Sequence, residues 1–423
     1  MQLTPSRSIR TALTAVTAAL LGTSVASAAD QDKVESEMLY YKESNRVSAF
    51  EGIVSVSKQL KHETTLAVKL TYDALTGSSP NGATPSSRIQ TFTRPSGSGQ
   101  YTVAPGKTPL DDTFHDTRFA ADLSLSRPLG RTTTAAIAGR FSNEYDYVSY
   151  GASGSLTQDL NRRNTTLGLS WSFARDRIRP EGSIPIPLAE MADPGAPQPR
   201  RSGSDDKNVV DIIGNVTQVI DRQTIARVNY SFSRATGYLT DPFKILSIVQ
   251  SQSESEPGEP VTYRFESRPD ARNKQALYGQ LRRYFGGSTV DLAYRYFWDN
   301  WGINSHTIEL FYRQQLRGGS ALQPHLRWYH QSSADFYDAF LVNGQPLPQH
   351  ASADYRLARF SALTAGLQYS LPVGGTTQLS LGAEYYTQRG DTSPPEAYGS
   401  LRNYELFPNM SAFMFRVGLE RGF

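Results

Sequence analysis

Residues 290–299 read VDLAYRYFWD and alternate between two kinds of side chain. One parity, from Val290 to Trp298, is aliphatic and then aromatic, whereas the other, from Asp291 to Asp299, is mainly polar or small. Successive side chains of a β-strand point to opposite faces, so this pattern predicts a strand with one apolar and one polar face. An aliphatic centre that ends in aromatic residues is typical of a strand that crosses a bilayer in a barrel.

The same alternation recurs along the chain, for example at residues 66–72, 167–173, 308–312 and 379–385. Short turns connect these segments on one side, whereas long loops lie near 77–114, 178–206, 237–274, 334–352 and 391–405. Such segregation of loop length is typical of outer-membrane barrels. We therefore predict an all-β fold: a single closed antiparallel transmembrane β-barrel of about sixteen strands that occupies residues 30–423.

Composition agrees with a barrel and excludes several other classes. Apolar residues make up 38% of the 423 residues, and aromatic residues, led by 23 Tyr and 19 Phe, make up 11%. A helical membrane protein is more apolar, whereas a barrel needs only alternate residues to face lipid. Composition alone does not exclude the alternative of a Tyr-rich soluble secreted β-protein. The net charge of +3 indicates no nucleic-acid partner, and the absence of Cys excludes disulfides, thiol catalysis and a lipidated cysteine.

The first 29 residues are expected to be a signal peptide. Arg7 and Arg10 precede an apolar stretch at 11–25, and Ala26-Ser27-Ala28 matches a cleavage site. A transmembrane anchor is the alternative, but the apolar stretch is short and diluted by Thr. Export of a barrel predicts a location in the Gram-negative outer membrane.

The C-terminal residues also follow the strand pattern. Phe413, Phe415, Val417 and Leu419 share one parity with the terminal Phe423. This arrangement resembles the signal by which outer-membrane barrels are recognised, so we expect Phe423 to be an assembly signal for the barrel assembly machinery. An even number of strands predicts that both termini are periplasmic. Outer-membrane lipid and lipopolysaccharide are the other expected partners.

The polar parity of the strands predicts which residues line the lumen. Acidic and basic groups are interspersed on it, and residues 275–331 are densest in Arg and Tyr. Such a wall could form a constriction for an anionic or sugar-like solute, or its charges could simply pair across strands. The candidate lumen-lining residues are Arg282, Asp291, Arg295, Asp299, Glu309, Arg313, His325, Arg327 and Tyr329.

The sequence contains no convincing catalytic, metal-binding or cofactor-binding constellation, so we expect no enzyme activity, metal or cofactor. Ser305 and His306 suggest a hydrolase pair, but adjacent strand residues point to opposite faces and cannot form a nucleophile–base contact. His325 is the histidine expected to face the lumen, where it could pair with Asp299 or Glu309.

Four stretches of sequence carry a resemblance to a known family. They are residues 75–83 (LTGSSPNGA), 237–244 (GYLTDPFK), 299–307 (DNWGINSHT) and 351–357 (ASADYRL). They resemble the bacterial outer-membrane family labelled domain of unknown function 3570, an uncharacterised β-barrel family, over nearly the whole mature chain. The family's genes often lie near those of small lipoproteins, flavin-attaching transferases and thioredoxin-like proteins, so the resemblance implies a redox or envelope-assembly role. It transfers no catalytic residue.

These observations support three functional hypotheses. The first is a porin-like passive channel for small polar solutes. The second is a structural or docking barrel, closed by its loops, that serves an envelope complex with periplasmic or lipoprotein partners. A barrel hydrolase is the third. The loop motif at 240–244 bears on the choice, because it is either a Pro-containing turn or an inward-folded loop that narrows the pore.

Overall fold

The computed structural model describes residues 32–44, 46–95, 97 and 99–423, so the expected signal peptide lies outside the described residues. Sixteen strands form one closed barrel. In chain order they are β1 (Lys33–Glu43), β2 (Ser48–Leu60), β3 (Thr64–Pro80), β4 (Leu110–Pro128), β5 (Thr133–Glu144), β6 (Tyr147–Leu160), β7 (Thr165–Ile178), β8 (Asp205–Asp221), β9 (Thr224–Gly237), β10 (Ala271–Phe285), β11 (Ser288–Asp299), β12 (Asn304–Gln315), β13 (Ala321–Gln331), β14 (Phe360–Gly374), β15 (Thr377–Gly390) and β16 (Met410–Gly422).

The sheet closes without a free edge. Each strand pairs with its neighbours in chain order, and β1 pairs antiparallel with β16, from Lys33 opposite Gly422 to Glu43 opposite Ala412. A closed sheet satisfies every inter-strand backbone group, which a lipid environment requires. The predicted fold class, an all-β closed antiparallel barrel of sixteen strands, is therefore confirmed.

The two ends of the barrel differ in their connections. At the turn end, where β1 begins and β16 ends, seven short turns join consecutive strands. At the loop end, long loops span 81–109, 179–204, 238–270, 332–359 and 391–409, while the connections at 44–47, 145–146 and 300–303 are short. The ladder of β3 and β4 continues to Pro80 opposite Leu110, beyond the loop boundary near 77 that composition indicates, because backbone pairing does not require apolar side chains.

An apolar belt surrounds the barrel. Large side chains of one strand parity stay exposed on the outside, including Leu70 (42%), Leu123 (55%) and Leu292 (47%). Exposed tyrosines such as Tyr230 and Tyr385 accompany them. A continuous apolar surface of this extent is a lipid-facing surface. Among the described residues, no helix is both long and apolar enough to cross a membrane.

The five long loops pack together into a cap at the loop end. Gln90–Thr93 pairs with Gln100–Val103, Ile184–Pro185 pairs with Arg200–Arg201, and Ile245–Val249 lies between Pro260–Phe265 and Leu341–Val342. Hydrogen bonds join the loops, such as Thr84 N to the Ser247 hydroxyl at 2.9 Å and the Tyr398 hydroxyl to Gln250 O at 3.0 Å. The cap therefore has a core of its own above the barrel wall.

Candidate functional site

Buried charged side chains meet where loop 238–270 contacts loop 332–359. Asp354 is 1% exposed and accepts hydrogen bonds from Arg356 Nε at 2.7 Å and from Arg268 Nη2 at 2.7 Å. Arg356 Nη2 also donates to Asp241 Oδ2 at 2.7 Å. Because each charge is bonded to one of opposite sign, the desolvation cost of burying these groups is offset within the set.

Two further charges complete this set, which we call the ion network: Asp241, Lys244, Glu266, Arg268, Asp354 and Arg356. Glu266 is fully buried and accepts hydrogen bonds from Arg268 Nη2 at 3.0 Å and from the backbone N–H of Asp241 at 2.6 Å. Lys244 is 1% exposed and donates to the carbonyl oxygen of Pro80. The ion network thus joins loops 238–270 and 332–359 to the end of β3.

The electrostatics of the ion network hold Asp354 in its charged form. Burial opposes ionisation, but the charges of Arg356 and Arg268 outweigh it and hold the pKa of Asp354 well below its ordinary value. Burial also lowers the pKa of Lys244, against the attraction of Asp354, and raises the pKa of Glu266, against the attraction of Arg268. Removal of any one charge would leave its partners buried without full compensation.

All four stretches that carry the family resemblance converge on the cap. Residues 240–244 and 351–357 supply four of the six ion-network residues, and residues 75–83 supply Pro80 and Gly82. Gly82 has φ +101°, and a Cβ there would lie 2.4 Å from the Ile245 carbonyl oxygen, so only glycine fits. The backbone N–H of Ile245 donates to Asn81 O at 2.9 Å. The loop motif at 240–244 is therefore packed into the cap.

The fourth stretch, residues 299–307, anchors the cap to β10 and β11. Trp301 is 2% exposed and donates from Nε1 to the Ala271 carbonyl at 2.9 Å, while the Arg272 guanidinium lies 4.3 Å from its ring centroid. Arg272 Nε donates to Asp299 Oδ2 at 2.7 Å. Asp299, a candidate lumen-lining residue, has a fully buried side chain, so it holds the 300–303 connection instead of facing open lumen.

The cap extends into the bore. Tyr355, from loop 332–359, is 6% exposed and packs with Phe360 and Phe407 against the partly buried Tyr329 and Tyr386. Tyr329 and Tyr386 belong to the inward parity of β13 and β15, because their strand neighbours Trp328 and Tyr385 are exposed on the outside. Aromatic packing from the loop onto the inner wall therefore occupies the lumen at the loop end.

One half of the inner wall carries mainly paired charges. On β1 to β5 and β16, Arg118 bonds Asp73, Arg416 Nε lies 3.0 Å from Glu37 Oε1, and Arg140 Nε lies 3.6 Å from Asp122 Oδ1. These contacts are the cross-strand pairs that the alternative interpretation of the lumen anticipates. The Arg140 side chain is 51% exposed, so solvent reaches this part of the lumen.

All nine candidate lumen-lining residues lie on the inward parity of β10 to β13, and eight of them, all except the covered Asp299, line the wall opposite this half. Arg282 Nε donates to Asp291 Oδ2 at 2.8 Å, and the Arg282 side chain is 50% exposed. Arg295 is exposed, and its guanidinium lies 5.8 Å from the Phe297 ring centroid. The other inward residues here are Glu309, Arg313, His325, Arg327 and Tyr329. Whether any of them contacts a solute stays a prediction.

His325 lies between two carboxylates on the inner wall. Its Nε2 is 3.1 Å from Glu309 Oε1 and its Nδ1 is 2.9 Å from Glu384 Oε1, while its ring stacks on Phe311 at 4.2 Å. Of the two partners that the sequence predicts for His325, Glu309 makes the contact, whereas Asp299 is bonded to Arg272. The second carboxylate, Glu384, comes from β15, which is distant in sequence but close to β13 across β14.

Ser305 and His306 lie on opposite faces of β12, as the alternation requires. Ser305 is 5% exposed on the inner side, whereas His306 Nδ1 lies 2.7 Å from the Tyr294 hydroxyl on the outer side. At the turn end, Phe423 is 64% exposed, and its backbone N–H donates to Asp32 O at 2.9 Å. A role for Phe423 in assembly stays a prediction.

Sequence reasoning did not assign the ion network. The signal that could have revealed it is the mainly apolar segment 243–249 (FKILSIV), because such a segment inside a long polar loop implies that the loop has a core. Phe243, Ile245, Leu246 and Val249 are all at most 5% exposed. Charges that flank such a core are then expected to be paired.

Comparison with solved structures finds other barrels. The siderophore receptor PirA from Acinetobacter baumannii is 12% identical, with 85% of this chain and 52% of that chain covered and a TM-score of 0.41. The ferric enterobactin receptor PfeA from Pseudomonas aeruginosa, in complex with enterobactin, is 10% identical (85% and 54% covered, TM-score 0.43). The ferric-catecholate import receptor Fiu from E. coli K12 is 9% identical (92% and 82% covered, TM-score 0.39).

The chain spans about half the length of PirA and PfeA. No curated protein matches it. A family model described as "Protein of unknown function (DUF3570)" matches residues 10–420, nearly the whole chain and all four stretches that resemble this family. On this match, the chain belongs to the DUF3570 family of proteins of unknown function.

Proposed function

We propose that this protein is a loop-closed outer-membrane barrel that serves as a structural or docking component of the cell envelope, not as a permanently open pore. The observation that supports the proposal is the inward packing of Tyr355 beneath the ion network. In this proposal the loop end faces outward, the termini and turn end face the periplasm, and periplasmic or lipoprotein partners bind there.

The energetics of the cap favour a closed state. Breaking a buried ion pair by removing one partner costs about 3–5 kcal/mol. Asp354 and Arg356 are joined to each other and to Arg268 and Asp241, so a loop that swung out of the bore would break several such contacts together. An opening of that cost is rarely populated at equilibrium.

Single-channel recording in planar bilayers tests this proposal. We expect the wild-type barrel to show little steady conductance, and we expect Arg356→Met to show more frequent or larger openings. A heat-dependent mobility shift on SDS gels would establish that each barrel is folded before recording. Large, permanently open steps from the folded wild-type protein would overturn the proposal.

A porin-like channel for small polar solutes is the second candidate function. It is favoured by the half-exposed side chains of Arg140 and Arg282 inside the barrel, since a charged and solvated wall can guide ions. Passage would require the cap to move. The same recordings separate the two candidates, because a channel conducts with its native loops in place.

A further inference from the structure

Arginine and tyrosine side chains meet on the inner wall directly below the cap. Tyr278 of β10 lies opposite Arg295 of β11, Arg295 lies opposite Thr307 of β12, and Thr307 lies opposite Tyr329 of β13. Arg327 lies two residues from Tyr329 on the same face of β13, with its guanidinium 5.8 Å from the Tyr329 ring centroid. Directly opposite residues of paired strands have Cβ atoms about 5 Å apart, so these groups share one patch.

The carboxylates near this patch are already engaged. Asp299 bonds Arg272, Asp291 bonds Arg282, and Glu309 and Glu384 both bond His325. Within the part of the chain that the structure describes, neither Arg295 nor Arg327 forms an ion pair with a carboxylate. Glu309 lies directly opposite Arg327, but its bonded partner is His325, so the patch carries two guanidinium charges without a bonded counter-charge.

Both guanidinium groups lie near the Tyr329 side chain. Arg327 lies two residues from Tyr329 on the same face of β13, and Arg295 lies opposite Thr307, which is itself opposite Tyr329. The Tyr329 hydroxyl donates to Gln331 Oε1 at 2.6 Å, which orients the ring. Two neighbouring guanidinium groups repel each other, and an anion bound between them removes that repulsion.

The patch is reachable from one side. Arg295 is exposed inside the barrel, and further towards the turn end the Arg282 side chain is 50% exposed. On the loop-end side, Tyr355 packs against Tyr329 and Phe360. Solvent therefore contacts the patch from the turn end, while the cap covers it from above.

We propose that Arg295 and Arg327, flanked by Tyr278 and Tyr329, bind a small organic anion that carries phosphate or carboxylate groups and enters from the turn end. Guanidinium groups present paired N–H donors that match an oxyanion in a bidentate manner. The tyrosine rings supply apolar faces and hydroxyl groups for the rest of such a molecule. Entry from the turn end only rests on the proposed closed cap, whereas binding itself does not.

Isothermal titration calorimetry on the full-length barrel in detergent tests this site, with pyrophosphate and citrate as the two probes. We expect saturable binding of at least one probe, and the stronger probe identifies the phosphate or carboxylate class. Arg295→Gln and Arg327→Gln should each weaken binding by about tenfold or more, because each removes charge-assisted hydrogen bonds.

Arg313→Gln is the matched control, since Arg313 is an inward arginine on β12 that lies nearer the turn end, opposite Thr289. We expect it to leave binding unchanged, and a mobility shift on SDS gels would show that all variants are folded. Absence of binding by the wild-type protein, or an equal loss in Arg313→Gln, would overturn the site. Conductance recordings are independent of this result, so a failed site and a failed cap are distinguishable.

Discussion

The substitution Arg356→Met probes what holds the cap in the bore. The Arg356 side chain is 9% exposed and bonds both Asp354 and Asp241. Methionine retains much of the side-chain length but removes the charge and the donors. Before the change, the ion network contains three acidic and three basic residues; afterwards it contains three acidic and two basic residues, with one buried negative charge uncompensated.

The free-energy cost of this substitution follows from the uncompensated charge. Removing one partner of a buried ion pair costs about 3–5 kcal/mol. Asp354 keeps its bond to Arg268 at 2.7 Å, so we expect a value near the lower end, about 3 kcal/mol. At about 1.4 kcal/mol for each factor of ten, cap amides that exchange by local opening should exchange roughly a hundredfold faster.

Hydrogen exchange measured by mass spectrometry on the detergent-solubilised barrel is the assay. Peptides that cover residues 240–247 and 351–358 should lose protection, while peptides from β4 should not change. Arg88→Met is the control, because Arg88 bonds Glu256 in the same cap with side chains that are 64% and 44% exposed. An exposed pair contributes about 0–1 kcal/mol, so equal exchange in the two variants would refute the reasoning.

Two further predictions concern pH and orientation. The pKa of Asp354 is depressed in the folded cap, so its stabilising contribution is present above the ordinary aspartate pKa of about 3.9 and is lost as pH falls below it. The pKa of Glu266 is raised by burial, so Glu266 takes up its proton at a higher pH than Asp354 does. The protection of the cap amides, corrected for the intrinsic pH dependence of amide exchange, should therefore fall below about pH 4, and this loss should be smaller in Asp354→Asn. For orientation, the chain has no native Cys, so a membrane-impermeant maleimide on intact cells should label Leu347→Cys in loop 332–359 and not Arg131→Cys at a turn. The reverse labelling pattern would contradict an outward-facing loop end.

The barrel was predictable because its determinants are local. Leu292 and Arg295 differ in polarity and stand on opposite parities, and alternation of this kind assigns each side chain to lipid or lumen without knowledge of the partner strands. The alternation recurs in many segments, so many strands are expected to face lipid. A sheet in lipid must close, because the backbone groups of a free edge would have no hydrogen-bond partners. For the same reason, the inward parity of Arg282, Asp291 and His325 could be read directly from the sequence.

The cap and its ion network were not predictable in the same way. Arg356 and Asp241 are 115 residues apart, and His325 and Glu384 are 59 residues apart, so no periodic pattern links them. Composition described 237–274 as a polar loop, although Ile245–Val249 is a buried strand within it.

The sequence alone thus determined a closed membrane barrel and the side of the wall to which each strand residue points, because a period of two is a property of the local backbone. Only the tertiary structure decided that the loops occupy the bore and which charges neutralise one another. Those outcomes depend on contacts between loops that are distant along the chain. The cost of burying a charge there is offset only where folding brings an opposite charge beside it.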